Sequence, residues 1–286
     1  MAQPGVPDEP RPEKPCTVLC DLDGVVWLSH EPIPGSVVAV AQLRAAGHRV
    51  LFVTNNSSAR VELQEAALDA IGIPAVGDVL TSANAAALLV EPGERVLVCG
   101  GEGVVQSMIG RGALVIGSGG SGIDAHDVDH RVDVVVVGFH RTFDYEEMLR
   151  ASRAVRNGAR LIGTNDDATY PTPEGPIPGG GAILASIVTA SGVVPIVAGK
   201  PHQPMAELVR TAIGESAASN AVMVGDRPET DGLMATRLGC RYAHVESGIT
   251  PPGRTVVPTP WMTAANLAGV AAVLIEEGMT TGRMHA

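Results

Sequence analysis

Two aspartates separated by one leucine, Asp21 and Asp23, directly follow an apolar run, Thr17–Cys20. A run without polar alternation is typical of a strand that is covered on both faces in a parallel sheet. Gly24 would let the backbone turn, so that two carboxylates and a carbonyl could face one point. Such an arrangement of oxygens suits Mg²⁺. Aspartate and glycine are also ordinary turn residues, so this motif alone does not separate a metal site from a simple strand exit.

Three further stretches place polar residues at the ends of predicted strands. They are Thr54-Asn55 after Arg49–Val53, Gly199-Lys200 after Pro195–Ala198, and Gly225-Asp226 after Ala221–Val224, with Asp231 following. Parallel strands of one sheet align their carboxyl ends, so these side chains should cluster with Asp21 and Asp23. Apart from Lys14, Lys200 is the only lysine in the chain, which favours a functional role for it.

The expected cluster suits phosphoryl transfer. Four aspartates placed together would raise one another's pKa unless a cation neutralised them, and Mg²⁺ is favoured because every candidate ligand is oxygen. A metal, a lysine and a hydroxyl group supply the charge neutralisation and positioning that a phosphoryl group needs. Asp21 would be the nucleophile and form an aspartyl-phosphate. Asp23 would protonate the leaving oxygen and then activate water.

The segments between these motifs alternate strands and helices. A predicted helix over Ser36–Ala46 joins the first two strands, and the right-handed crossover rule makes these strands parallel. A second alternating set interrupts the series. We therefore predict an α/β protein, with a Rossmann-like parallel-sheet core and an inserted α/β cap domain. The predicted divisions are a disordered tail over 1–14, core segments over 15–81 and 191–286, and the cap over 82–190.

The motifs resemble those of a known family. Asp-Leu-Asp-Gly-Val, Phe-Val-Thr-Asn-Asn-Ser, Ala-Gly-Lys-Pro and Val-Gly-Asp-Arg-x-x-Thr-Asp look like the four motifs of haloacid dehalogenase superfamily phosphatases, in the same order. The insertion between the second and third motifs resembles the large C2-type cap of the nitrophenylphosphatase-like subgroup. The resemblance extends from Cys16 to Val245.

The resemblance implies a role for each matching acid. Asp21 would be nucleophile and metal ligand, and Asp23 would be acid and base and bind the metal through its carbonyl. Asp226 would be a further Mg²⁺ ligand. The fourth motif contains Pro228-Glu229, which departs from the family pattern but leaves the spacing from Asp226 to Asp231 intact.

The other matching residues would serve the phosphoryl group. In the family pattern, Thr54 and Asn55 hold phosphoryl oxygens, and Lys200 neutralises the transferring group. Asp231 would support Lys200 or a metal-bound water.

The insertion should act as a lid that contacts the part of the substrate left behind. Between residues 81 and 190 it has eight arginines, no lysine and thirteen acidic residues, which disfavours polyanionic substrates. Asn165, Asp167 and Tyr170 are expected to face the site and to hydrogen-bond hydroxyl groups. Together with the family's recurring substrates, this suggests a small phosphomonoester, with glycerol 3-phosphate first and 2-phosphoglycolate as the alternative.

Other functions remain open on the sequence. The same chemistry would serve a mutase or phosphotransferase, and the fold could also serve as a non-catalytic binder of phosphorylated ligands. Gly117–Gly122 fits a dinucleotide-binding fingerprint, but no helix start follows it. His126 and His130 are expected to be solvated, and His202 has either a secondary role near the site or none.

Composition limits the partners. The formal charge of −11 and the pI near 5.1 argue against nucleic-acid and anionic-membrane surfaces. No apolar run approaches membrane-spanning length, and residues 1–15 lack the apolar region of a signal peptide. The four cysteines lack zinc spacing and are expected to be reduced core residues. We expect a cytoplasmic enzyme with a small-molecule partner, and the family resemblance implies a homodimer through the cap.

Overall fold

The computed structural model describes residues 15–118, 121–122, 132–172, 174–248, 250, 253 and 255–282. The strands are β1 (Thr17–Cys20), β2 (Trp27–Leu28), β3 (Glu31–Pro32), β4 (Arg49–Thr54), β5 (Val79–Thr81), β6 (Arg95–Cys99), β7 (Leu114–Ser118), β8 (Ser121–Gly122), β9 (Val134–Val137), β10 (Arg160–Gly163), β11 (Thr169–Tyr170), β12 (Ile177–Pro178), β13 (Ile196–Val197), β14 (Val222–Gly225), β15 (Arg241–Val245) and β16 (Met262–Ala264). The helices are α1 (Ser36–Ala45), α2 (Val61–Ala70), α3 (Ser82–Ala87), α4 (Glu102–Gly110), α5 (Tyr145–Arg156), α6 (Gly180–Ser191), α7 (Gln203–Ile213), α8 (Glu215–Ser219), α9 (Leu233–Leu238) and α10 (Leu267–Gly282), and a π-helical turn spans Pro228–Gly232.

The first sheet carries the predicted chemistry. Its six strands lie in the order β16-β15-β14-β1-β4-β5, and every neighbouring pair is parallel. All four residues of β1 are buried, as expected for a central strand between two helical layers. Helices α1 and α10 pack together on one face, and α3, α7 and α9 cover the other. The carboxyl ends of β1, β4 and β14 therefore meet at one edge, as predicted.

A second six-stranded sheet forms the inserted cap. Its order is β13-β10-β9-β6-β7-β8, and only β8 runs antiparallel to its neighbour. Helices α5 and α6 pack on one face around buried valine, alanine and isoleucine side chains. The predicted fold class, a parallel α/β core with an inserted α/β cap, is confirmed.

One strand assignment is wrong. We predicted Pro195–Ala198 as a strand of the first sheet, but β13 pairs with β10 in the second sheet. A strand of two residues carries too little hydrophobic pattern to specify which sheet it joins, and the prediction relied on the neighbouring Lys200. The division between core and cap stays a prediction, and the pairing favours a second boundary just after Val197 rather than at residue 190.

The glycine-rich segment is part of a hairpin. Gly117 pairs with Gly122 and Ser118 with Ser121, both antiparallel. A dinucleotide fingerprint requires a strand, a turn and a helix, so this geometry excludes that interpretation. The glycines between them, His126, His130 and the predicted tail lie outside the described residues.

None of the four cysteines, all of which lie among the described residues, forms a disulfide; Cys16, Cys20 and Cys99 are buried, as expected of core residues, whereas Cys240 is only partly buried. Among the helices of the described residues, none has the length and apolar character needed to cross a membrane.

The cap contains a buried acid–base pair. Glu147 on α5 is 2% exposed, and its Oε2 lies 3.5 Å from Nε2 of His140, which is also buried. Burial raises the pKa of Glu147 to about 7 and lowers the pKa of His140. Between the ordinary glutamate pKa of 4.5 and about 7, the folded chain binds more protons at Glu147 than the unfolded chain does. The contribution of Glu147 to the stability of the folded protein therefore falls as pH rises through that range.

We expect Glu147→Gln to stabilise the protein in alkaline solution. Glutamine imitates the protonated acid and removes the cost of ionising it in a buried site, which is up to about 3 kcal/mol. The melting temperature should rise by several degrees at about pH 8 and change little at about pH 5. Glu146→Gln, one position earlier on the exposed side of the helix, is the matched control. A shift that is equal at both pH values would contradict this account.

Candidate active site

The two aspartates of the first motif lie in a turn at the end of β1. Asp21 donates its backbone N–H to the carbonyl of Val224 (2.9 Å), and its Oδ1 accepts from the backbone N–H of Leu22 (2.8 Å). Gly24 has a φ of +94°, and a Cβ there would lie 2.6 Å from Cγ of Asp226. Glycine is therefore required both by the turn and by the close approach of Asp226.

A buried lysine joins two of the acids. Nζ of Lys200 lies 2.8 Å from Oδ1 of Asp21 and 2.8 Å from Oδ1 of Asp231. Burial by itself would lower the pKa of Lys200, but the charges of these two carboxylates outweigh burial and raise it. Burial raises the pKa of Asp231 to about 7, although Lys200 opposes the shift. The lysine thus stays charged and holds both acids in place.

Three carboxylates form a potential metal site. Asp21, Asp226 and Asp231 are buried, and each offers one oxygen within 4.8 Å of the others. A Cβ at Gly248 would collide with the carboxylate of Asp226, so the chain leaves room for that side chain. One lysine does not balance these acids, and all the donors are oxygen. This donor set fits a hard divalent cation such as Mg²⁺.

Asp23, the second acid of the motif, binds its proton more tightly than an ordinary aspartate does. The pKa of Asp23 is raised to about 7, chiefly by burial and secondly by the charge of Asp21. The hydroxyl of Tyr170, from the cap, donates to Oδ1 of Asp23 at 3.5 Å. The ring of Tyr170 stacks on Phe139, with centroids 5.3 Å apart. Asp23 therefore faces the cap and can hold a proton near neutral pH.

Thr54 and Asn55, at the end of β4, differ in their contacts. Thr54 is buried and lines the cavity. The side chain of Asn55 accepts from the N–H of Lys200 (2.7 Å) and donates to the carbonyl of Lys200 and to Oδ2 of Asp167 (both 3.0 Å). Gly199 has no Cβ to obstruct this contact. Both N–H groups of the Asn55 amide are used by protein acceptors, so it braces the lysine loop against the cap.

The cap residues also differ in role. Asn165 is buried and donates to the carbonyl of Asn55 (2.8 Å), which makes it a bracing residue. Asp167 and Tyr170 reach the cavity, as predicted. His202 pairs with Asp166 at 2.9 Å outside the cavity. The predicted residues therefore lie together around one cavity, although two of them, Asn55 and Asn165, hydrogen-bond to the protein groups that form its walls.

Sequence reasoning assigned no function to several lining residues. The cavity is lined by Asp21, Asp23, Thr54, Asn55, Asn56, Phe139, Asn165, Asp167, Thr169, Tyr170, Pro171, Gly179, Gly180, Lys200, Arg227 and Thr230. Arg227 and Thr230 belong to the fourth motif, and their position beside Asp226 was an available signal. Phe139 follows a cap strand and gave none.

Comparison with known proteins agrees with this geometry. A family model described as haloacid dehalogenase-like hydrolase matches residues 18–113, and a second model of HAD-like hydrolases matches residues 197–260. The D-glycerol 3-phosphate phosphatase of Mycobacterium tuberculosis is 34% identical over 85% of this chain, which spans 66% of that protein, slightly under two thirds of its length. The acid sugar phosphatase of Staphylococcus saprophyticus is 34% identical over 81% of this chain and 86% of its own length.

Solved structures give the same result. A glycerol phosphate phosphatase from Mycobacterium tuberculosis in complex with magnesium superposes with a TM-score of 0.75 and 31% identity, covering 90% of this chain and 78% of that chain. A p-nitrophenyl phosphatase from Archaeoglobus fulgidus superposes with a TM-score of 0.80 and 26% identity, covering 92% of this chain and 100% of that chain. The chain belongs to the haloacid dehalogenase-like hydrolase family, and its neighbours match the nitrophenylphosphatase-like subgroup that its motifs indicated.

We expect Lys200→Met to destabilise the metal-free protein strongly. Removing one partner of a buried charge cluster leaves carboxylates uncompensated, at a cost of about 3–5 kcal/mol. The loss should be measured by urea unfolding at about pH 8, and it should shrink as the acids protonate at lower pH. Arg210→Met, which removes a surface ion pair with Glu215, should cost about 1 kcal/mol or less. Equal losses for the two variants would show that Lys200 does not balance these acids.

Proposed function

We propose that this chain is a Mg²⁺-dependent phosphatase that hydrolyses small phosphomonoesters through an aspartyl-phosphate on Asp21. The observation that carries this proposal is the contact between Asp21 and the buried Lys200, 2.8 Å apart, beside a second acid in a cavity under the cap. A carboxylate held by a cation next to a protonatable acid is what nucleophilic attack on a phosphate ester needs.

In the first step, an oxygen of Asp21 attacks phosphorus. A bond forms between this oxygen and phosphorus, and the bond from phosphorus to the substrate oxygen breaks. Asp23 gives its proton to that leaving oxygen, which its pKa of about 7 permits. Lys200, held between Asp21 and Asp231, offsets negative charge on the transferring group.

In the second step, water cleaves the aspartyl-phosphate. Asp23 is now ionised and takes a proton from the attacking water. The bond from phosphorus to Asp21 breaks, which releases phosphate and restores both aspartates. Tyr170 and Phe139 cover this side of the cavity and limit access of bulk water to the reacting atoms.

The metal site proposed for this reaction consists of Asp21, the backbone carbonyl of Asp23, and Asp226. Asp231 is the neighbouring acid that holds Lys200. When bound, Mg²⁺ supplies charge neutralisation for the phosphoryl oxygens and for the acid cluster. The magnesium complex of the mycobacterial relative supports Mg²⁺ as the metal.

Glycerol 3-phosphate is the first candidate substrate, because the sequence relative and the solved structure from Mycobacterium tuberculosis are both named for glycerol phosphate. Asp167, Tyr170 and Thr169 add hydrogen-bonding groups beyond the reacting acids. The name of the staphylococcal relative makes acid sugar phosphates a second class, and 2-phosphoglycolate stays an alternative. Phosphotransfer to an acceptor other than water is the competing reaction. A cytoplasmic location and a dimer through the cap stay predictions.

We expect Asp21→Asn to lower the hydrolysis of p-nitrophenyl phosphate by at least about a thousandfold, because the nucleophile is lost. EDTA should abolish wild-type activity, and added Mg²⁺ should restore it. Phosphate release is the measurement, with the urea midpoint as the control for folding. If Asp21→Asn retained turnover, Asp21 would be excluded as the nucleophile. Wild-type turnover that needs an added phosphate acceptor would favour a phosphotransferase.

We expect the effect of Asp23→Asn to depend on the leaving group. Glycerol leaves as a strongly basic alkoxide and needs the proton of Asp23, whereas nitrophenolate is stable without one. The kcat/KM for glycerol 3-phosphate should fall at least about tenfold further than that for p-nitrophenyl phosphate. This ratio reports the step that forms the aspartyl-phosphate and is insensitive to the fraction of folded enzyme. An equal fall for both substrates would remove Asp23 as the general acid.

A further inference from the structure

Beyond the reacting acids, the cavity continues towards a second, outer cleft. Four residues line both spaces: Asp167 and Thr169 from the cap, and Arg227 and Thr230 from the segment after β14. These four side chains therefore surround the opening between the cap and the core. The part of a substrate that leaves after phosphoryl transfer would lie against them, because Asp21 and Lys200 line the cavity but not the outer cleft.

The backbone of Arg227 is fixed. It follows Asp226 directly, and its N–H donates to Oδ2 of Asp231 at 3.1 Å. Its carbonyl accepts from the N–H groups of Thr230 and Asp231, at 3.2 and 2.8 Å, where the π-helical turn begins. The backbone that carries Arg227 is therefore held to the acid cluster.

Arg227 and Asp167 line both the cavity and the outer cleft, and no hydrogen bond or ion pair within 4.0 Å joins their side chains. Burial raises the pKa of Asp167, and the nearby positive charge of Arg227 opposes this shift. Within the described part of the chain, the guanidinium forms no hydrogen bond, and no ion pair within 4.0 Å, with another residue. Among those same residues, Oδ2 of Asp167 accepts from Asn55, whereas Oδ1 has no hydrogen-bond partner.

A gap between a cation and an anion selects the ligand group that enters it. A carboxylate would accept from Arg227 but would be repelled by Asp167, and an ammonium would meet the reverse situation. A hydroxyl group can accept from the guanidinium and donate to the carboxylate at once. The hydroxyls of Thr169 and Thr230 line the same opening and add neutral polar contacts.

We propose that Arg227 and Asp167 together bind the hydroxyl groups of a polyol leaving group, and that this pair makes the site selective for phosphorylated polyols with a neutral diol. The inference rests on the proposed function and deepens it. It places glycerol 3-phosphate ahead of 2-phosphoglycolate for a reason that lies in this chain. Sites that hydrogen-bond a substrate hydroxyl discriminate strongly, since an unsuitable group leaves buried polar atoms unpaired.

The test compares three phosphate esters that differ in the charge of the leaving group: glycerol 3-phosphate, 2-phosphoglycolate and phosphoethanolamine. The wild-type enzyme should have a kcat/KM for glycerol 3-phosphate at least about tenfold higher than for either charged ester. Asp167→Asn should shift the ratio of 2-phosphoglycolate to glycerol 3-phosphate upward by about tenfold. Arg227→Gln should shift the ratio of phosphoethanolamine to glycerol 3-phosphate upward by a similar factor.

Ratios within one variant are independent of how much enzyme is folded. Arg49→Gln removes the same charge at the amino end of β4, at the opposite edge of the sheet, and should leave all ratios unchanged. Equal changes for all three esters in Arg227→Gln would mean that this residue serves the reacting acids, and would overturn the proposal. If the wild-type enzyme hydrolyses p-nitrophenyl phosphate but does not discriminate among the three esters, the proposal for Arg227 and Asp167 is overturned and the proposed function stands. If it hydrolyses none of the four substrates, the proposed function is overturned as well.

Discussion

The ammonium group of Lys200 is the interaction on which the site depends. It is buried to 1% exposure and lies 2.8 Å from an oxygen of Asp21 and 2.8 Å from an oxygen of Asp231, so its positive charge offsets the repulsion between these acids. Asp21 comes from β1 and Asp231 from the turn after β14, so the lysine ties the ends of two central strands. Its charge stabilises the arrangement, and in the proposed reaction it also offsets negative charge on the phosphoryl group.

The hydrogen bonds of Asn55 extend this support to the cap. Its side chain contacts both backbone polar groups of Lys200 and the carboxylate of Asp167, and its carbonyl accepts from Asn165. Core and cap therefore meet through polar groups that are satisfied by each other. Arg227 and Asp167 line the opening where a leaving group would lie.

Much of the architecture was accessible from the sequence, because β1, β4 and β14 are buried apolar runs that end in polar residues. Parallel strands with right-handed connections then bring Asp21, Thr54 and Asp226 to one edge. The sheet that β13 joins was not accessible, since two residues carry too little pattern. The bracing role of Asn55 depends on partners more than a hundred positions away, and the orientation of its side chain is not encoded locally.

The route of the chain around Lys200 has a mechanical consequence. β13 is the last strand of the cap sheet, and α7, which packs against α3 under the core sheet, begins only at Gln203. Lys200 lies on this short connection, with its side chain in the core acid cluster. A rotation of the cap would therefore act on Lys200 through only a few backbone bonds. The position of the cap and the placement of the Lys200 ammonium group beside Asp21 are thus coupled by the path of the chain itself.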